Sequence, residues 1–275
     1  MAICLQKDNY TKVQQDKFLE ENWEKNIIKN IEIGLIKEEF QVYYQPQIEL
    51  KSKKIVGIEA LLRWGNSNFK NIPPNKIIGL AERSSLIFEI SNYIMKKACY
   101  EANEFLDIES MDLNLAVNIS SREFENLNFV SWISGILNET GLSAERLKIE
   151  ITETTAVKNI DWTVKLLNEI KKMGIRIALD DFGTGYSSFK YLNILPIDII
   201  KIDKHFIDKI QVDRKQQIIV SKIIEMAHSL GLKVIGEGVE SLEELQILRE
   251  FNCDEVQGYY FSKPINKEDL KQLII

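Results

Sequence analysis

The chain has 275 residues, of which 45% are hydrophobic and 28% are charged, and its formal net charge is −6. This composition is typical of a soluble globular protein with a full apolar core, and the length suits a single α/β barrel. A negative chain has no general attraction to a nucleic-acid polymer or an anionic membrane, so an anionic ligand would need local charge, metal ions or backbone dipoles.

Cysteine and histidine usage bears on compartment and on metal chemistry. The three cysteines, Cys4, Cys99 and Cys253, are widely spaced, which indicates reduced thiols in a cytoplasmic protein or the cytoplasmic part of a larger one. With only His205 and His228, a zinc site built from Cys and His is not expected. The N-terminus lacks a signal-peptide pattern, and no apolar run approaches the length of a membrane span.

The start of the chain differs in pattern from the rest. Residues 1–36 are predicted to be helical, with an apolar stripe that includes Trp23 and Ile31, and we interpret them as a packing or linker helix. Two β-rich runs at 38–50 and 54–64 lie on either side of a short polar turn. This arrangement predicts a β-hairpin and not a helical crossover.

Strand-like runs then alternate with amphipathic helices. The runs are short and mostly end in polar residues; they are LNLAVNIS, LKIEITE, RIALDD, DIIKID, LKVIGEGVE and DEVQGYYFS. Among the helical stretches, residues 213–230 place Ile219, Ile223 and Met226 on one face, and a capping box is predicted at 241–244. Alternating strands and helices predict right-handed βαβ units and an α/β fold with a largely parallel sheet.

Polar side chains recur where these strands end, about one βα unit apart. In a parallel barrel the same ends of successive strands converge, and that end is the active-site face. The residues at these positions are Glu59, Asn118, Glu150, Glu153, Asp180, Asp181, Lys201, Asp203, Glu237, Glu240 and Gln257. Carboxylates gathered in this way repel one another unless cations lie between them. Oxygen ligands without Cys or His select hard divalent ions such as Mg²⁺ or Mn²⁺.

Each position also has a purely structural interpretation. A carboxylate at a strand end often caps a helix or accepts a hydrogen bond from a loop, and Glu153 could merely anchor a turn. Lys201 could form a structural ion pair with Asp198 or Asp203. A lysine between isoleucines nevertheless requires a nearby anion, because lysine is almost never buried unpaired. The set as a whole favours a metal site that includes Asp180 and Asp181.

Several ordered motifs resemble those of the EAL family of bacterial phosphodiesterases, which open the second messenger cyclic di-GMP to linear pGpG. The resemblance covers roughly residues 25 to 275, and the motifs are YYQPQI, EALLRW, NIS, EITE, DDFGTGYSS, KID, EGVE and QGYYFSKP. It implies a modified (β/α)8 TIM-like barrel whose first strand runs antiparallel, in agreement with the hairpin. It also implies a cyclic-guanylate-specific phosphodiesterase with a two-metal site for Mg²⁺ or Mn²⁺. Ca²⁺ is expected to inhibit, because it takes more ligands at longer distances.

The resemblance also implies roles for individual residues. One ion would be held by Glu59, Asn118, Glu150 and Asp180, and a second by Asp180 and Asp181. The catalytic set would be Glu237 as general base, Lys201 orienting water or neutralising phosphate charge, and Asp181. Substrate contacts would come from Gln45, Leu62, Arg63, Asp203, Gln257 and Pro264. Glu153 and Glu240 would support the loop at 183–188.

The same resemblance suggests a domain organisation and partners. Residues 1–24 would form an N-terminal helical or linker segment and 25–275 the EAL phosphodiesterase domain. A homodimer is expected, and a sensory or diguanylate-cyclase-like domain could be fused to the chain or lie beside it. Two other functions stay open: a receptor that binds cyclic di-GMP without cutting it, and a hydrolase of another phosphodiester. The full set of acidic positions favours hydrolysis of cyclic di-GMP.

Overall fold

The computed structural model describes residues 21–106, 113–183 and 189–274. Most of the predicted linker segment and most of the loop at 183–188 lie outside these ranges. In chain order the described elements are α1 (residues 21–36), β1 (Phe40–Glu49), β2 (Ile55–Trp64), α2 (Pro74–Ser84), α3 (Ile87–Leu106), β3 (Asn114–Asn118), α4 (Ser121–Phe124), α5 (Phe129–Thr140), a 3-10 turn (Ala144–Arg146), β4 (Leu147–Thr152), α6 (Glu153–Lys158), α7 (Ile160–Lys172), β5 (Arg176–Phe182), α8 (Phe189–Leu192), β6 (Ile199–Ile202), α9 (Lys204–Ile207), α10 (Arg214–Ser229), β7 (Lys233–Gly236), α11 (Leu242–Glu250), β8 (Glu255–Val256) and α12 (Lys267–Ile274).

The described strands form a closed eight-stranded barrel in the order β1 to β8. Strands β2 to β8 run parallel to one another, from the pair β2–β3 to the pair β7–β8. Strand β1 is antiparallel to β8, with Ile48 opposite Val256 and Glu49 opposite Glu255. These findings confirm the predicted modified (β/α)8 barrel with an antiparallel first strand.

The parallel strands are buried on both faces, as expected where helices cover a barrel and side chains fill its interior. In β4, for example, Leu147 to Ile151 are all buried. Local signals set the ends of the helices between the strands. Asp213 accepts hydrogen bonds from the first turn of α10, and Ser241 and Glu244 form the predicted capping box of α11.

The buried face of α10 differs from the predicted one. The predicted stripe began at Ile219, but Ile219 is 46% exposed and the buried residues are Val220, Ile223, Ile224 and Ala227. Residues 218–220 are all apolar, so spacing alone does not select a face. Packing of α10 against β7 determines which of these residues are buried.

Strand β8 is shorter than the predicted run, because the backbone turns after Val256. The Gln257 carbonyl accepts from Val239 N, and Tyr260 N donates to the Val239 carbonyl, so these groups pair with a loop instead of extending the ladder. Gly258 permits this approach: a Cβ there would lie 2.1 Å from the Val239 carbonyl oxygen. The turn therefore requires glycine.

The chain divides into two compact units. The first comprises residues 21–41 and 63–93, where the Trp64 ring stacks on Phe69 at 4.5 Å and its Nε1 donates to Glu39. The second comprises the described parts of 42–62 and 94–274 and holds most of the barrel. Across the described part of the chain, no helix has the length and apolar character required to cross a membrane.

We expect Gly258→Ala to lower the free energy of unfolding by about 3 kcal/mol, because the added methyl meets backbone that cannot move aside cheaply. The matched control is Gly135→Ala in α5, where an added Cβ meets nothing within 4 Å and the helix should gain about 0.5–1 kcal/mol. Urea unfolding of both variants tests this. Equal stability of the two variants would contradict this account of the turn.

Candidate active site

The buried ammonium of Lys201 lies at the centre of an acidic cluster. Lys201 is on β6 and is 1% exposed. Among the described side chains, its Nζ pairs with four carboxylates: Glu150, which is closest, Glu237 at 2.8 Å, Asp180 at 3.2 Å and Glu59 at 3.7 Å. Burial favours a lower pKa for Lys201, but these carboxylates outweigh it and raise the pKa well above its ordinary value. Lys201 is therefore held as a cation.

The structural alternative for Lys201, an ion pair with Asp198 or Asp203, is wrong. Asp198 instead pairs with Lys171 and accepts a hydrogen bond from Ile177 N. Asp203 caps α9 by accepting from His205 N. Lys201 thus belongs to the acidic cluster and not to a local pair on its own strand.

A backbone irregularity brings Asp180 and Asp181 to the same site. Neighbouring residues in a regular strand point to opposite faces. The pairing of β5 with β6 shifts register between Leu179 and Phe182, and Asp181 has φ 54°, in the left-handed region. Carboxylate oxygens of Asp180, Asp181 and Glu237 consequently lie within 4.8 Å of one another. Such irregularities are frequent next to active sites.

Two amides hold the carboxylate of Glu59. Asn118 Nδ2 donates to Glu59 Oε1 at 2.6 Å, and Gln257 Nε2 donates to Glu59 Oε2. Burial raises the pKa of Glu59, but the ammonium of Lys201 and these two hydrogen bonds outweigh it, and the net pKa is lowered. Glu59 is therefore ionised and fixed in orientation.

Other acids of the cluster are under-compensated. Burial raises the pKa of Glu150 to about 7 despite Lys201, and burial with the charge of Asp180 raises the pKa of Asp181. Burial also raises the pKa of Glu237 well above its ordinary range. The positive charge present does not stabilise all of these carboxylates in their ionised forms.

The residues present fit one or more hard divalent cations. Glu150 Oε1 is buried and has no hydrogen-bond partner among the described residues. The donor set consists of carboxylate and amide oxygens, which suit Mg²⁺ or Mn²⁺. A divalent ion would supply the missing positive charge and a partner for the orphaned oxygen.

Glu153 contacts the start of the predicted loop. It is 5% exposed at the first position of α6, and its Oε2 accepts from Gly183 N at 3.2 Å. Gly183 has φ 97°, and a Cβ there would lie 2.6 Å from the ring of Phe206. Glu240 pairs with Lys204 and lies directly before Ser241, the N-cap of α11. Its support of the loop stays a prediction. Residues 184–188 lie outside the described ranges.

The residues predicted to contact substrate include a hydrogen-bonded pair, since Gln257 Nε2 donates to Gln45 Oε1 at 3.0 Å. Gln45, Leu62 and Gln257 are nearly buried, and Gln45 Nε2 donates to the Ser262 carbonyl. Asp203 and Pro264 are half-buried, in segments that follow β6 and β8. Arg63 belongs to the first unit. Their contacts with a nucleotide stay predictions.

Two buried polar residues were missed by the sequence analysis. Gln47 on β1 is 0% exposed and Lys148 on β4 is 2% exposed, and Lys148 Nζ donates to Gln47 Oε1 at 2.6 Å. The sequence pattern could have identified Lys148 as buried, because it lies between Leu147 and Ile149 just as Lys201 lies between isoleucines. A buried lysine requires a partner in both cases.

Lys201→Met should lower the free energy of unfolding in chelator by roughly 3 kcal/mol, because it leaves buried carboxylates without their cation. Added Mn²⁺ should recover part of the loss. The control is Lys222→Met, which removes an exposed pair with Glu225 and should change stability little. Thermal melts of both variants, with and without metal, test this, and a Lys201→Met protein as stable as the control would contradict it.

The chain is similar in sequence to known proteins. The sequence profile of the EAL domain family matches residues 28–264. The chain is 42% identical over 236 residues to Signaling protein YkoW of Bacillus subtilis, aligning 86% of this chain with 29% of that protein. It is 35% identical over 237 residues to Cyclic di-GMP phosphodiesterase NbdA of Pseudomonas aeruginosa, aligning 86% of this chain with 30% of NbdA. The chain therefore spans less than a third of the length of either relative.

Solved structures share the fold. The structure described as PaMucR Phosphodiesterase, c-di-GMP complex is 33% identical with a TM-score of 0.85, and the match covers 89% of this chain and 99% of that one. An EAL domain protein from Listeria monocytogenes EGD-e is also 33% identical, with a TM-score of 0.79 and coverage of 88% and 95%. Because the family profile matches most of its length, the chain belongs to the EAL domain family.

Proposed function

We propose that this chain is a metal-dependent phosphodiesterase that hydrolyses cyclic di-GMP to linear pGpG. The observation that carries the proposal is the acidic cluster around Lys201, which has more carboxylates than the lysine can compensate. A receptor that only binds a nucleotide has no need of such a cluster. NbdA, a relative, is named as a cyclic di-GMP phosphodiesterase, and the PaMucR phosphodiesterase was solved with c-di-GMP.

The cluster offers ligands for two cations. We assign one to Glu59, Asn118, Glu150 and Asp180, and a second to Asp180 with Asp181. Bound divalent cations would supply a water that ionises near neutral pH and would offset negative charge on the phosphate. The bulge at Asp181 supports the shared role of Asp180, since it brings two adjacent carboxylates to one face.

Hydrolysis requires a proton acceptor and a source of positive charge. One bond forms between a water oxygen and phosphorus, and one phosphorus–oxygen bond to ribose breaks. The attacking water loses a proton, and the ribose oxygen that leaves takes up a proton from solvent. We assign that proton to Glu237, whose side chain is 18% exposed and lies 2.8 Å from Lys201 Nζ. Lys201 would then lie beside the phosphate and stabilise its developing charge.

Side chains beyond the cluster would hold the nucleotide. Tyr259 is 54% exposed with Lys263 over its ring at 5.5 Å, and Tyr260 is 41% exposed, so aromatic faces are open to guanine. We keep Gln45, Leu62, Asp203, Gln257 and Pro264 as proposed contacts on the same side of the barrel. Arg63 is proposed as a grip on a phosphate, since its guanidinium can bind two phosphate oxygens.

The wider organisation is also proposed. We assign residues 25–275 to the EAL domain and residues 1–24 to a connecting segment. Relatives are about three times longer, which supports a domain that works beside others, and we expect a homodimer. The free, buried thiols of Cys99 and Cys253 suit a reducing compartment, and we place the activity in the cytoplasm.

Incubation with cyclic di-GMP and Mg²⁺ or Mn²⁺ tests the proposal, with pGpG as the expected product and slow further breakdown to GMP. Chelator should abolish turnover. Ca²⁺ should inhibit, because it takes more ligands at longer distances. Asp180→Asn should lower turnover by at least roughly 10²-fold, since it removes a charge shared by both cations.

The outcomes of this experiment are distinct. Full activity in chelator, or activity of Asp180→Asn equal to that of the unmodified protein, would contradict the two-cation proposal. Tight binding of cyclic di-GMP without turnover would favour the receptor function. Rapid conversion to GMP at low enzyme concentration would contradict the assigned product.

Glu153→Ala should leave the fold intact but raise the metal concentration for half-maximal activity roughly 10-fold, because Gly183 N loses a charged acceptor at the start of the loop. The control is Glu125→Ala, which removes an exposed acid paired with Lys158. A metal titration of turnover for both variants tests this. Identical titrations would remove the bracing role of Glu153.

A further inference from the structure

A chain of buried side chains runs through the barrel interior from Lys148 to Glu59. Lys148 Nζ donates to Gln47 Oε1 at 2.6 Å, Gln47 Nε2 donates to Gln257 Oε1 at 2.9 Å, and Gln257 Nε2 donates to Glu59 Oε2. The exposures of these four side chains are 2%, 0%, 4% and 6%. We call this set, Lys148, Gln47, Gln257 and Glu59, the buried relay.

The chemistry of its two ends sets the direction of the buried relay. An ammonium only donates hydrogen bonds, and an ionised carboxylate only accepts them. Burial lowers the pKa of Lys148, although the nearby charges of Glu150 and Glu255 oppose this. In its ammonium form Lys148 requires the oxygen of Gln47, which turns the Gln47 NH₂ group to Gln257. Gln257 must then present its oxygen to Gln47 and its NH₂ group to Glu59. Both amide orientations follow from a donor at one end and an acceptor at the other.

A glycine on β2 leaves room in the barrel wall for the Gln47 side chain. A Cβ at Gly57 on β2 would lie 2.6 Å from Gln47 Oε1 and 3.6 Å from Gln47 Cβ. Glycine at this position thus admits the Gln47 side chain. Gln257 Nε2 also donates to Gln45 Oε1 at 3.0 Å, so the amide of Gln257 is held on three sides.

A simpler role for Lys148 would be neutralisation of acids nearby. Its Nζ lies 3.8 Å from Glu150 Oε1, beyond hydrogen-bond reach, whereas its contact with Gln47 is short and direct. Neutralisation alone would not depend on which atoms of Gln47 and Gln257 face each other. Reversing the Gln257 amide should therefore change metal binding if Lys148 positions the amides, but not if Lys148 only neutralises charge.

We propose that Lys148 is a positioning residue that, through Gln47, directs the amide of Gln257 to Glu59 and so orients this carboxylate for metal binding. The inference rests on the proposed function and adds residues to its site. Hydrogen bonds that orient a metal-ligating carboxylate from behind commonly change metal affinity 10- to 100-fold when lost. Lys148 and Gln47 would act on the metal without touching it.

Gln47→Glu tests the direction of the buried relay with almost no change in size. The introduced carboxylate still accepts from Lys148 but cannot donate to Gln257, so the Gln257 amide reverses and turns its oxygen toward Glu59. We expect the Mn²⁺ dissociation constant, measured by calorimetry, to rise at least about 10-fold. If Lys148 only neutralises charge, this variant binds Mn²⁺ within twofold of the unmodified protein, which would overturn the proposal.

Two further variants control for charge and for packing. Gln246→Glu adds the same charge at an exposed position on α11 and should leave Mn²⁺ affinity unchanged. Gln47→Lys combined with Lys148→Gln moves the ammonium to β1, where it can donate directly to Gln257 Oε1. This exchange should restore affinity to within about threefold, and failure to restore it in a folded protein would count against the proposal.

A measurement without metal separates this inference from the proposed function. Neutron diffraction from crystals in chelator shows where the deuterons of Gln257 point. We expect them toward Glu59 in the unmodified protein and toward position 47 in Gln47→Glu, and the same orientation in both would overturn the proposal. A protein that binds no Mn²⁺ would end the proposed function and the metal part of this inference, while the neutron result would still decide whether Lys148 directs the amides.

Discussion

The ion pairs of one buried lysine organise the site. Nearby carboxylates stabilise a buried lysine as a cation, and Lys201 has Glu59, Glu150, Asp180 and Glu237 as partners. These acids lie on β2, β4 and β5 or directly after β7, so their pairing with Lys201 on β6 joins five strands of the barrel. These acids outnumber the lysine, and the raised pKa values of Glu150 and Glu237 show that positive charge is lacking, which a divalent cation would supply.

The barrel topology explains how residues far apart in sequence meet. Parallel strands bring Glu59, Asn118, Glu150 and Lys201 together. Asn118 ends β3, Glu150 and Lys201 lie near the carboxyl ends of β4 and β6, and Glu59 lies in the middle of the longer strand β2. The antiparallel strand β1 enters from the other direction and contributes Gln45 and Gln47 to the interior. The acidic cluster and the amides behind it therefore depend on the unusual first strand as well as on the regular ones.

Much of this arrangement could be predicted from the sequence. Polar residues at the ends of apolar runs predicted which side chains converge, because the spacing of strands and helices sets the topology. The pairing of Lys201 with several strands could not be separated from a local pair with Asp198, since that choice depends on three-dimensional distance.

Other features depend on packing and were not predictable from one sequence. The face of α10 was ambiguous because three apolar residues are consecutive, and the early end of β8 depends on the approach of Val239 to Gly258. The left-handed conformation of Asp181 depends on the register of β6. Lys148, like Lys201, lies between apolar residues, so its need for a buried partner could be predicted. Its partner Gln47 is uncharged, so the sequence does not indicate that the two side chains pair.

Anomalous diffraction from crystals soaked in Mn²⁺ tests the central claim most directly, because it locates the ions without reference to activity. We expect two peaks per chain, one at Glu59, Asn118, Glu150 and Asp180 and one at Asp180 and Asp181. Asp180 should lie between them. Full soaking with no peak at these residues, or a peak only elsewhere on the chain, would contradict the metal-dependent site.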